Sequence, residues 1–125
     1  MDQAILVNSA QNLIKKLDND GLKSLVAMLV HNEDVGTWKL WIVPADEKID
    51  KFEFYRKISE VISKNRDLLG DFSASDVELA SKTHPAMQRI GKIINIKDLG
   101  ALHFSGNSFN GFYMPDGIIL RSALT

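Results

Sequence analysis

The chain reads as an α+β domain, an antiparallel-rich mixed sheet with about three helices in the order α-ββ-α-β-α-βββ. Three observations predict this. Two long segments carry apolar residues with helical period. Two apolar, β-branched and aromatic runs flank a short glycine-containing turn. The last quarter alternates short apolar stretches with Gly, Pro and Asn.

The first helix is expected over 3–17. Leu6, Ala10, Leu13, Ile14 and Leu17 recur at spacings of three and four and form one apolar stripe. Lys15 and Lys16 suit the negative end of the helix dipole, and Asn19-Asp20-Gly21 supplies a stop. The segment 22–31 fits a helix or a buried strand. The turn Asn32-Glu33-Asp34-Val35-Gly36 and the aromatic run 37–43 behind it favour a hairpin, which Pro44 ends.

The long second helix is expected over 50–69. Tyr55, Ile58, Val61, Ile62, Asn65, Leu68 and Leu69 recur with helical period, Asp50 and Glu53 have capping-box spacing, and Gly70 is a stop. A short strand follows over 75–81. Thr83-His84-Pro85 opens a third helix, with Pro85 at its first position and Met87, Ile90, Ile93 and Ile94 as its apolar side. A three-stranded meander is expected over 101–123, with turns at Gly106-Asn107 and Pro115-Asp116-Gly117. The sheet is expected to carry its helices on one face.

The 125 residues contain no repeat or linker, so residues 1–125 are expected to form one domain. At this length a core forms without staples. The 15 basic and 16 acidic residues give a net charge of -1. Residues 1–70 hold 21 of these 31 charges, 10 basic and 11 acidic, so the two halves differ in charge density and not in sign. Without a basic excess, nucleic acid is disfavoured as a partner. Cysteine is absent, which removes thiol catalysis, zinc knuckles and disulfide scaffolds. The start Met1-Asp2-Gln3-Ala4 has no signal-peptide pattern and the longest apolar run, 25–30, is too short for a bilayer. A cytoplasmic location away from membranes is the expectation.

No motif names a reaction. The segment 106–111 has two glycines five apart but neither the Lys-Ser/Thr ending of a phosphate loop nor a following helix, and reads as a hairpin turn. Asp76 and Glu78, two apart on the expected strand, would share a face and could hold a metal ion, with His84 or Asp98 completing a nuclease-type site. The basic residue such sites place two positions further on is missing, because that position is Ala80. His103 and Ser105 would share a strand face, but no orienting acid can be assigned to them. His84 reads as a helix cap that also sets an imidazole beside free backbone N–H groups.

Trp38 and Trp41 lie three apart and should face opposite sides of their strand. Trp38 aligns with Leu40 and Ile42 and belongs to the core. Trp41 either anchors a partner or lies under a helix. The candidate binding residues are thus Trp41, His84 and His103, with Asp76 and Glu78 as metal ligands in the alternative. The expected function is a non-enzymatic module that docks a protein partner or itself, an immunity- or antitoxin-type protein being one form, with no cofactor. The competing expectations are a small metal-dependent phosphodiesterase and a homodimeric structural module that pairs a strand edge.

Overall fold

The computed structural model describes residues 2–109 and 111–124. Helix α1 spans Gln3–Asn19 and the hairpin strands β1 and β2 span Ser24–Asn32 and Thr37–Pro44. Helices α2 (Lys51–Lys64) and α3 (Arg66–Leu69) precede strand β3 (Val77–Leu79) and helix α4 (Pro85–Ile93). Four short strands close the chain: β4 (Leu102–Phe104), β5 (Asn107–Phe109), β6 (Phe112–Met114) and β7 (Gly117–Ser122). The main sheet runs β3-β2-β1-β7-β4. Its pairs are antiparallel except β2 with β3, which is parallel, so the sheet is mixed as expected.

Alternation along the strands makes two cores. Ala27 and Leu29 of β1, Leu40 and Ile42 of β2, and Ile118 and Leu120 of β7 pack against α1, α2 and α3. Val26, Met28 and Val30, Val43 and Ile119 pack on the other face against Ala86, Met87 and Ile90 of α4 and Met114 of β6. Helices therefore cover both faces of the sheet and not one. The reason is visible in β1: residues 26–30 are all buried, as in strands covered on both sides.

The long helix expected over 50–69 is broken at Asn65, whose backbone leaves the helical region (φ -127°, ψ 34°). Its side-chain amide donates to the Val61 carbonyl at 2.7 Å, which competes with the backbone ladder. The break lets α3 turn Leu69 fully into the α1 side of the core. At the helix start Asp50 accepts from the Glu53 N–H at 2.7 Å, while the Glu53 carboxylate turns to Arg56 at 2.5 Å and 3.0 Å.

The strand expected over 75–81 shrinks to three residues because 74–76 form a 3₁₀ turn. Asp76 accepts from the Ser73 N–H at 2.9 Å and closes a capping box. The edge strand β3 is held from the α2 side, where the Leu79 N–H donates to the Tyr55 hydroxyl at 3.0 Å.

The three-stranded meander is also revised. β4 pairs with β7, and the segment between them rises out of the sheet as a separate hairpin, β5–β6. Its register sets Phe109 opposite Phe112, which leaves a two-residue connection where Gly111 has φ +79°. In β7 a register shift opposite Ala27 and Met28 leaves Leu120 as an extra residue. Leu120 and Arg121 both then face α1. Arg121, 8% exposed, donates to both carboxylate oxygens of Asp18 at 2.9 Å and 2.8 Å and to Ser24 Oγ at 3.2 Å. No helix among the described residues is long and apolar enough to cross a membrane.

Candidate functional site: a groove between two hairpins

The α4 side of the sheet is incompletely covered. α4 has nine residues, a length of about 14 Å at the helical rise. β1 and β2, with nine and eight residues, reach about 26–30 Å. The helix is therefore about half as long as these strands. Towards the β1–β2 turn the sheet face stays open and becomes the floor of a groove of about 480 Å³.

Val30, Trp41 and Met114 supply its apolar lining. One wall is Phe112 and Tyr113 of the β5–β6 hairpin. The other is the β1–β2 turn with Asn32, Glu33 and Asp34, and Glu78 of β3 closes the sheet-edge side. Glu78 is there because β3 runs parallel to β2 with Glu78 paired to Trp41, while Val77 turns to the opposite core. Lys39 also lines the groove, but its ammonium donates to the Ser75 carbonyl at 2.7 Å.

The hairpin wall is braced from behind by rings. The His84 ring meets Phe112 edge-on at 4.4 Å between centroids and Trp41 edge-on at 5.7 Å. His84 is itself fixed as the N-cap of α4, where Nδ1 accepts from the Ala86 N–H at 3.1 Å. That bond requires Nδ1 to be unprotonated. Cap, tryptophan and hairpin are thus joined by contacts. Tyr113 leans on the chain at Gly106, where a Cβ would lie 2.5 Å from its hydroxyl oxygen, so a side chain at 106 would push the ring aside.

Of the residues singled out from sequence, Trp41, His84 and Glu78 come to this one region. Trp41 is half-buried: the His84 ring at the start of α4 meets it edge-on, and Trp41 also lines the groove. Asp76 lies outside the strand and its carboxylate serves Ser73, so it does not share a strand face with Glu78. His103 is on β4 at the far edge of the sheet, 3.4 Å from the Gln3 side-chain amide of α1. There it borders a shallow depression of about 380 Å³ with Val7 and Gln11. Among the described residues no three His, Asp or Glu side chains converge in a metal-binding arrangement.

Comparison with known proteins adds nothing here: no family model matches the chain, and no curated protein or solved structure is significantly similar to it.

The groove wall was missed from sequence. Its signal is Asn110-Gly111 between Phe109 and Phe112-Tyr113, the two-residue hairpin spacing, inside a segment that reads as one longer turn over 106–111. The carboxylates of Glu33 and Asp34 gave no signal, because a charged hairpin turn is usually only solvated.

Proposed function

We propose that the chain is a non-enzymatic module that docks a protein partner in the groove between its two hairpins. One observation carries this reading: an aromatic wall, braced by His84, left exposed over an open sheet face. Phe112 is 40% and Tyr113 60% exposed, although both sit on a hairpin braced by His84 and Trp41. Aromatic side chains held at low entropic cost beside an apolar floor are the usual anchors of protein interfaces. An immunity- or antitoxin-type role, in which the module blocks another protein's surface, is a concrete form of this proposal. Self-association through the same face is its homomeric form, and light scattering separates the two.

The test is co-purification of the partner from the native cells with two matched variants. Tyr113→Ser alters the groove wall. Phe52→Ser alters the most exposed aromatic of α2, 78% exposed and part of the separate patch around Lys51, Tyr55 and Arg56. Docking in the groove predicts that the first variant loses the partner and the second keeps it. Equal retention by both refutes the assignment.

A further inference from the structure

The groove also has a charge preference, which extends the docking reading and rests on it. Its lining holds three carboxylates, Glu33, Asp34 and Glu78, against one ammonium, Lys39, for a net charge of -2 with His31 neutral. The whole chain carries -1, so the rest of the molecule is +1 and the acidic excess belongs to this one surface. Elsewhere five acids are ion-paired among the described residues. Glu53 and Glu60 pair with Arg56, Glu60 also with Lys64, Asp20 with Lys57, Glu47 with Lys82 and Asp18 with Arg121. The three groove carboxylates form no ion pair among the described residues. The one lysine beside them is turned to a backbone carbonyl.

We propose that the occupant is a basic, extended protein segment, with an apolar side chain seated against Val30, Trp41 and Met114 and flanking arginines or lysines reaching the three carboxylates. Arginine suits the site best. Its planar guanidinium stacks on the exposed faces of Phe112 and Tyr113 while its N–H groups reach Glu78 or the turn acids. A nucleic acid meets the wrong charge. A bare metal ion lacks convergent ligands: no group of three His, Asp or Glu among the described residues could hold one, and Glu78 stands on β3 apart from the turn acids. On α2 of a second copy, Arg56, Lys57 and Lys64 are already paired.

The probe is the peptide Gly-Arg-Leu-Arg-Phe-Arg-Gly, compared with the versions carrying Gln or Glu at the three arginines. Binding is followed on the wild-type protein by two-dimensional NMR. The Trp41 indole signal reports on the groove, and the backbone amide signal of Phe52, on the separate α2 patch, serves as the internal control. The arginine peptide is expected to move Trp41 and not Phe52. Neutralising Glu33→Gln, Asp34→Asn and Glu78→Gln together should weaken it about tenfold, two- to threefold per exposed charge pair. All three are surface residues without ion-pair partners, so the fold is unaffected. Raising salt from 50 to 500 mM should weaken binding several-fold. If the glutamine peptide moves Trp41 with equal affinity, the charge assignment is overturned and groove docking stands. If none of the three peptides moves Trp41, the basic-segment proposal falls, and docking then rests on the co-purification variants alone.

Discussion

Replacing Arg121 by methionine removes a charged side chain that joins β7 to α1 and β1. The substitution keeps the unbranched stem and deletes the guanidinium, which donates to Asp18 at the end of α1 and to Ser24 at the start of β1. Breaking a fully buried ion pair from one side costs about 3–5 kcal/mol. Here the Arg121 side chain is 9% exposed but that of Asp18 is 24% exposed, so the orphaned carboxylate recovers part of its hydration. The expected loss is about 2–3 kcal/mol, which lowers the melting temperature by roughly 10 °C in a domain of this size. Urea unfolding followed by tryptophan fluorescence measures it, with the slope unchanged if only stability is altered. In the double variant Asp18→Leu/Arg121→Met no uncompensated charge remains, so it should lose less than the sum of the two single changes. A loss under about 1 kcal/mol for Arg121→Met, or strict additivity in the double variant, would refute the reasoning.

Three further outcomes follow from the same geometry. Gly117→Ala should destabilise by about 1–3 kcal/mol, because its Cβ would lie 2.3 Å from the Phe104 ring and 2.9 Å from the Leu29 carbonyl oxygen, and thermal unfolding should show it. The Glu53 carboxyl is held low by its hydrogen bond to Arg56, and that of Glu60 chiefly by its hydrogen bond to Lys64. Their contribution is present at neutral pH and lost as pH falls below about 5, so Arg56→Gln should flatten the acid limb of the stability profile. Millimolar magnesium or manganese should leave the melting temperature unchanged; a rise abolished by Glu78→Gln would restore the metal-site alternative.

How much was legible depended on whether a signal was local. The stripe from Leu6 to Leu17 fixed α1, and the paired apolar runs around 32–36 fixed the hairpin, because periodicity and turn chemistry act within a few residues. The break at Asn65 was hidden, since a side-chain bond to the Val61 carbonyl leaves no mark on the apolar spacing. Helices on both faces could have been read from the unbroken run 25–30, whose alternate side chains both need cover. Gly117 looked like a turn residue beside Asp116. It is the first residue of β7 instead, kept small by the Phe104 ring above it. The groove was the least legible feature. Trp41, Glu78 and Tyr113 are far apart in sequence and meet only through the parallel placement of β3 and the rise of the β5–β6 hairpin.

Site-specific photo-crosslinking in the native cells tests groove docking most directly. A photoreactive phenylalanine at position 113 or 112 lies on the groove wall, and one at position 52 lies on the separate α2 patch. Docking in the groove predicts one discrete protein adduct from 113 and 112, lost when Glu33, Asp34 and Glu78 are neutralised, and none from 52. An adduct from 52 with none from the groove positions would contradict it.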